Sequence, residues 1–447
     1  MAKQSPQRVA IIGAGWAGCA AAVRLCQAGH RVTLYEAAKT PGGRARRVSL
    51  HNRNLDNGQH ILLGAYRQSL AMMRQVGIPL DQAFLRLPLQ MVYPDPRADM
   101  ALIAPRLPAP LHLLAGLWRA SGLRRADKLA LIRFSSTARW MGWQLYQDCP
   151  VTELLQRFEQ TERLCQLMWY PLCVAALNTR PEQASAQVFL NVLRDSLGAR
   201  RSASDMLLPR MDLSALFPEQ AIRFLLQHGA KVHCQQSVRQ LKHGNERSWS
   251  VQTADTQADG FDAVIIATEA RNAQRLIVRS QLETAPLPAF ADEAITTCYL
   301  QYDTAFQLPR AMYALKEDAS RQYWGQYVFD RGQLHPDQAG LLAVVVSAPD
   351  LDITHDHARL AAAIAHQLAC ELHLPALAQP LWHQVITEKK ATFRCTPGLQ
   401  RPDNLTALSG LLLAGDYTRG DYPATLEGAV RSGQQAAQLI ISGQASV

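Results

Sequence analysis

Gly13, Gly15 and Gly18 share one hexapeptide, Gly13-Ala14-Gly15-Trp16-Ala17-Gly18, directly after the apolar run Val9-Ala10-Ile11-Ile12. The chemistry such a set can do is to hold the phosphates of a dinucleotide. Gly13 permits the tight strand-to-helix turn, Gly15 leaves room for a pyrophosphate against the backbone, and Gly18 lets helix and strand pack closely. The helix start adds free N–H groups and the positive end of its dipole. A small, apolar helix Cys19–Ala28 is closed by Gly29, and His30–Tyr35 reads as a second strand ending at Glu36. Glu36 stands where a carboxylate accepts hydrogen bonds from an adenosine ribose. Taken alone, a Gly-x-Gly-x-x-Gly is often a packing device. Here strand, turn, helix, glycine cap, strand and acid fall in register within about thirty residues, and the functional reading wins.

The next residues select FAD over NAD. Pro41-Gly42-Gly43-Arg44 lies just beyond Glu36, and the far end of the chain carries Leu411-Leu412-Leu413-Ala414-Gly415-Asp416. An apolar strand ending in Gly-Asp places a carboxylate for the ribityl or pyrophosphate region of an extended cofactor. It leads into Pro423–Gly433, a helix start that includes Leu426 and can aim backbone dipoles at a flavin ring.

The rest of the composition excludes more than it assigns. Of 447 residues, 48% are hydrophobic and 19% charged, a globular balance that removes disordered and collagen-like classes. No apolar stretch approaches the roughly 20 residues that span a bilayer. Net charge is +9, which favours anionic partners, but there is no zinc-finger spacing, RNP-like strand or block of like charge, so nucleic acid is not expected. Nine cysteines without a CxxC pair read as reduced, mostly core residues of a reducing, cytoplasmic compartment, with Cys19, Cys26, Cys173 and Cys370 in apolar contexts. His355-Asp356-His357, after Asp350 and Asp352, reads as helix capping, and no metal is expected. Lys3, Arg8 and the run Val9–Val23 imitate a signal peptide, which the glycine spacing explains better.

The elements that must position these residues are discontinuous. The pattern predicts an α/β protein: a Rossmann-type FAD-binding domain assembled from separated segments, a mixed-sheet substrate domain and a helical insert. Residues 1–80 form the first FAD-binding part, 81–102 a substrate-sheet segment with a strand over Phe84–Tyr93, and 103–230 the helical insert. Within the insert, three/four spacing predicts helices over 111–120, 125–140, 152–170, 182–197 and 218–228. Residues 231–290 form the second FAD-binding part, 291–400 the substrate sheet, and 401–447 the third FAD-binding part. The strands expected in the substrate sheet are 294–303, 322–330, 340–347 and 380–393, interrupted by a helix over 357–373.

Together, Gly13-x-Gly15-x-x-Gly18, Glu36, Gly42-Gly43-Arg44 and Gly415-Asp416…Glu427-Gly428-Ala429 resemble the FAD-dependent amine oxidase and phytoene desaturase superfamily. Within it the chain is similar to the hydroxysqualene dehydroxylases. That narrower likeness rests on Leu55-Asp56-Asn57-Gly58-Gln59-His60, on Trp169-Tyr170-Pro171-Leu172…Leu177-Asn178-Thr179, and on Pro423–Val430. Tyr170 and Arg419–Tyr422 depart from the family pattern, at places that bear on substrate contacts. The cofactor contacts then expected are Gly13, Gly15, Gly18, Glu36, Gly43, Arg44, Gly58, Val238, Gly415, Asp416 and Leu426.

The resemblance implies a hydrophobic C30 isoprenoid substrate and reduction of 12-hydroxysqualene to squalene by hydride from reduced flavin. Because the sequence holds a single Gly-x-Gly-x-x-Gly, no stable NAD(P)H site is expected, and electrons come from an external donor or by slow contact at the open flavin pocket. His60 is the candidate proton donor, set against a structural bond to backbone. The rivals are a carotenoid-type desaturase, an amine or porphyrinogen oxidase, and a non-catalytic FAD-binding partner of prenyl synthases. Residues 106–139 interleave seven basic residues with Leu111, Leu114, Trp118, Leu129 and Ile132 against the single acid Asp127. They read either as an ordinary amphipathic pair packed on the core or as a peripheral contact with an anionic membrane, on the inner face of the cytoplasmic membrane.

Overall fold

Five short apolar strands from distant parts of the sequence meet in one parallel sheet, in the order Lys231–His233, Arg31–Tyr35, Arg8–Ile12, Ala263–Ile266, Leu411–Leu413. The computed structural model describes residues 5–50, 53–95, 97–244, 248–349 and 355–446. A parallel sheet needs cover on both faces, and strand alternation supplies it. Val9, Ile11, Ala263, Ile265 and Leu412 face a helical layer. Ala10, Ile12, Val264, Ile266, Leu411 and Leu413 face the opposite side. Each of the larger side chains here contributes roughly 1.5–3 kcal/mol by leaving water.

The helical layer contains Trp16–Gln27, Pro218–Gln227 and Leu426–Ile441. A Cβ on Gly433 would lie 2.0 Å from the Ala17 carbonyl oxygen, so this glycine lets the closing helix cross the first one backbone to backbone. The other face carries an antiparallel meander, Gln240–His243, Trp249–Gln252 and Gln257–Phe261, together with the helix Ala270–Arg279.

The second large sheet has the order Met312–Ala314, Tyr327–Asp330, Leu341–Ser347, Asp292–Gln301, Trp382–Phe393. It is antiparallel throughout, not mixed as the sequence pattern suggested. The helix His357–Glu371 does return the chain so that 341–347 and 382–393 run the same way. Strand 292–301 lies between them, however, and every hydrogen-bonded neighbour is antiparallel. Cys298, Leu300, Val328, Leu342 and Val344 face that helix. Tyr299, Tyr327, Phe329, Ala343 and Val345 face the interior.

Other expectations changed with the tertiary structure. The strand expected over Phe84–Tyr93 is two strands, Phe84–Leu87 and Gln90–Val92, and neither joins the large antiparallel sheet. Pro88 lies between them and cannot donate to a ladder. Phe84–Leu87 pairs with Met206–Pro209, a strand inside the segment read as helical, and Gln90–Val92 pairs with Ala101–Ile103. The helix expected over 152–170 stops at Arg157. A new one starts where the Thr161 hydroxyl accepts from Leu164 N, then passes through a π turn, Cys165–Trp169, into Tyr170–Leu177.

Candidate active site

A cleft of about 790 Å³ opens at the carboxyl ends of the parallel strands, where Ile12, Tyr35, Ala267 and Gly415 form its floor. The first connection carries the chain from Arg8–Ile12 to Arg31–Tyr35 on one side, while the neighbour on the other side, Ala263–Ile266, arrives much later in sequence. That switch in strand order leaves a crevice, the usual ligand position in such sheets.

The glycine turn shows three different uses. Gly13 has φ +107°, a region that L side chains avoid, and a Cβ there would lie 2.8 Å from the Ala267 carbonyl oxygen. Gly18 is a packing glycine: a Cβ would lie 1.9 Å from the Gly13 carbonyl oxygen, and the residue does not line the cleft. Gly15 has an ordinary φ of −72°, and the nearest atom to an added Cβ is Gly43 Cα at 3.9 Å. Nothing in the protein requires glycine at 15, so the space it leaves faces the cleft. Gly42 N donates to the Ala14 carbonyl at 2.9 Å, docking the Pro41–Arg44 loop against this turn.

Glu36 lines the same end. Its Oε2 accepts from Ala14 N at 2.6 Å and its Oε1 from Ala38 N at 2.8 Å. Each oxygen keeps a second lone pair for a hydroxyl donor. Val238 also lines the cleft, with Arg239, Arg275 and Arg279, which the sequence reading had not singled out. Arg275 and Arg279 are one helical turn apart on Ala270–Arg279, a spacing that was available as a signal. Arg44, Arg46 and these three arginines line the cleft together with the carboxylates of Glu36, Glu269, Glu388 and Asp416. The positive groups suit a pyrophosphate.

At the other end, Gly415, Asp416 and Leu426 line the cleft with Ala424, Thr425 and Ala429. The Thr425 hydroxyl caps the closing helix by accepting from Gly428 N at 3.1 Å, so that helix starts at the cleft wall.

The Asp56–His60 segment is mostly scaffolding. Asp56 accepts from Leu213 N at 2.8 Å, and its burial pushes the carboxyl up to about 6 in spite of the nearby Arg331. Asn57 Nδ2 donates to Glu388 Oε2 at 2.9 Å and to the Arg44 carbonyl at 3.1 Å. Gln59 Oε1 accepts from the fully buried Arg331 at 2.7 Å. Gly58 and His60 line the cleft. His60 Nδ1 lies 2.7 Å from the Gly58 carbonyl, an acceptor only, so this nitrogen carries the proton. Burial holds the ring below the ordinary histidine range, which favours the neutral form with Nε2 as an acceptor.

Asn178 and Thr179 serve as fastenings. Asn178, left-handed at φ 45°, donates to Thr392 Oγ1 at 2.9 Å and accepts from Ala348 N at 2.9 Å. Thr179 Oγ1 accepts from Cys395 N at 3.0 Å. They hold the end of helix Tyr170–Leu177 against the antiparallel sheet. Behind His60, Ile61, Ala176, Leu177, Ile295, Tyr327, Phe329 and Val345 make an apolar wall that the sequence did not reveal.

Elsewhere, the Asp356 carboxylate accepts from Arg359 N and caps its helix, as expected. Asp350, Asp352 and Lys3 lie outside the described residues. Among the described residues no three His, Cys, Asp or Glu side chains are grouped to hold a metal. All nine cysteines are free and six are buried, but Cys370 is exposed and Cys26 only partly covered, contrary to their apolar contexts.

Comparison with known proteins decides the family. A family model described as flavin containing amine oxidoreductase matches residues 16–441. The chain belongs to that family. The chain is 30% identical to a hydroxysqualene dehydroxylase of Sinorhizobium fredii, over 98% of its own length and 99% of the relative's. It is 25% identical to a zeta-carotene desaturase of Synechocystis, over 98% of each chain. A cyclohexylamine oxidase from Brevibacterium oxydans shares its fold, with a TM-score of 0.64 at 18% identity, covering 98% of this chain and all of that one. The cofactor of this flavoprotein is FAD, and the Cβ-sized space at Gly15, the arginines of the lining and the helix starts at the cleft wall fit it.

Proposed function

We propose that this oxidoreductase reduces 12-hydroxysqualene to squalene. The relationship that carries the reading is the 30% identity to a hydroxysqualene dehydroxylase over nearly the full length of both chains. The apolar wall of Leu177, Ile295, Tyr327, Phe329 and Val345 supports it, because a C30 hydrocarbon needs a dry, apolar slot.

Gly13, Gly15 and Gly43 take the pyrophosphate on their backbone, Glu36 the adenosine ribose, Arg44 and Asp416 the ribityl side, and Gly58, Val238, Gly415 and Leu426 the remaining cofactor contacts. Gly18 acts through packing. Bound and reduced, FAD supplies the hydride. The substrate hydroxyl is allylic, so its C–O bond breaks to a delocalised cation once the oxygen takes a proton and leaves as water. His60 faces the cleft and delivers that proton from its cationic form, with the Gly58 carbonyl fixing the ring. The apolar wall excludes bulk water from the cation. Electrons reach the site from an external donor.

The zeta-carotene desaturase relative favours a second reading, in which hydride leaves an isoprenoid for the oxidised cofactor. One experiment separates them: anaerobic incubation of the reduced, FAD-loaded protein with 12-hydroxysqualene, followed by lipid analysis. Squalene as product supports the proposal. New double bonds introduced into phytoene or squalene by the oxidised protein, with no dehydroxylation by the reduced one, replace it with the second reading.

A further inference from the structure

Two neighbouring helices, Leu111–Arg119 and Arg125–Trp140, each carry apolar residues on the side turned away from the protein. On the longer helix the core takes Asp127, Ala130, Phe134 and Ala138. At about 100° per residue, Leu129, Ile132 and Trp140 point to the opposite face. Leu129 is 60% exposed and Trp140 86%. On the shorter helix the same division holds: His112, Gly116 and Leu117 are buried, while Leu111, Leu114 and the 83% exposed Trp118 are not. Lys128 Nζ donates to the Trp118 carbonyl at 2.8 Å and joins the two stripes. Exposed tryptophans at the end of each stripe are more apolar surface than folding requires.

The surrounding charge says what covers this face. Arg106, Arg119, Arg124, Arg125 and Arg139 are exposed around the stripes. The lone acid of the segment, Asp127, is buried, where it accepts from Arg124 N and the Thr161 hydroxyl. A second copy of this face would bring arginines against arginines. An anionic bilayer surface matches it on both counts, with headgroups for the arginines and an acyl boundary for the leucines and tryptophans.

We infer that this face docks peripherally on an anionic lipid bilayer, with Trp118 and Trp140 entering the headgroup–acyl boundary. Among the described residues no helix is long and apolar enough to cross a membrane, which leaves surface attachment as the mode these helices permit. The inner faces of the two helices belong to the same apolar cluster as Leu177, Tyr327 and Phe329 of the cleft wall. The inference stands on exposure and charge, and does not need the proposed reaction.

The FAD-loaded full chain is mixed with vesicles of phosphatidylglycerol and phosphatidylcholine, or of phosphatidylcholine alone, and partitioning is read by flotation. Expected are binding to the anionic vesicles that weakens with salt, and quenching of tryptophan fluorescence by brominated acyl chains. Replacing Trp118 and Trp140 by Gln lowers partitioning about tenfold or more, as does replacing Arg119, Arg125 and Arg139 by Gln. Flavin content and unfolding midpoint stay unchanged, since these side chains are exposed. Equal partitioning of the tryptophan variant overturns the inference. So does a wild-type protein that ignores anionic vesicles but sediments as a dimer that the tryptophan variant dissolves, which would make a second copy the occupant. Failure of the dehydroxylase reading leaves the vesicle result untouched.

Discussion

Arg44 Nη2 lies 2.7 Å from both carboxylate oxygens of Asp416, although 372 residues separate the two in sequence. Arg44 Nη1 also donates to the Ala391 carbonyl at 2.7 Å, so one guanidinium ties the first and last cofactor segments to the antiparallel sheet. Asp416→Ala leaves that guanidinium without its carboxylate. With Arg44 about one-third exposed and Asp416 buried, the expected loss is about 1–3 kcal/mol. Asp416→Asn retains an acceptor and costs less. Urea unfolding and flavin content per chain measure both effects, and full stability with full flavin in the alanine variant would refute the role.

Gly15 and Gly18 respond differently to a side chain. Gly15→Val has room in the protein but fills the space left for a pyrophosphate, so the variant folds and loses FAD affinity by about 100-fold or more. Gly18→Val meets the Gly13 carbonyl and destabilises the fold itself, by about 3 kcal/mol or more. Circular dichroism and flavin absorbance separate the two outcomes. A Gly15→Val protein that purifies with full flavin would overturn the cofactor assignment.

His60 sets a pH dependence with a definite sign. The acid form delivers the proton and burial depresses its pKa, so the dehydroxylation rate falls as pH rises through a value below the ordinary histidine range. His60→Gln slows the reaction by about 100-fold and removes that limb. The stability effect runs the other way. A depressed pKa contributes stability above the unfolded-state value of about 6.5, lost as pH falls through the folded-state value. Rate profiles and melting temperatures of the wild type and variant test both, and an unaltered limb in the variant would assign the proton to another group.

Electron supply yields the last prediction. The later glycine clusters, Gly58…Gly64 and Gly415…Gly433, lack the Gly-x-Gly-x-x-Gly spacing that marks a dinucleotide turn. Stopped-flow mixing with NADPH or NADH should therefore show only slow, non-saturating flavin reduction. Rapid, saturable bleaching at micromolar nicotinamide would reveal a second nucleotide site and remove the need for an external donor.

How much of this was legible depended on how local each signal is. The glycine turn, Glu36, the strand 263–266 and the closing helix are encoded by neighbours in sequence, because backbone geometry and alternation act over a few residues. The strand-to-sheet assignment of 84–93 and the antiparallel character of the second sheet depended on which segment came to lie between two others. Arg331 holding Gln59 across 272 residues had no local trace at all.

By itself, then, the sequence determined the cofactor half: a fingerprint of small residues whose steric demands admit few alternatives. The tertiary structure decided the rest. Leu117 and Trp118 are adjacent and equally apolar, yet one is buried and the other 83% exposed. Helical periodicity shows that two apolar faces exist, and only packing against the remainder of the chain selects which of them enters the core. The wall of Tyr327, Phe329 and Val345 has the same origin. Alternation along a strand defines two faces, and the face that meets the cleft is fixed when the helix His357–Glu371 covers the other.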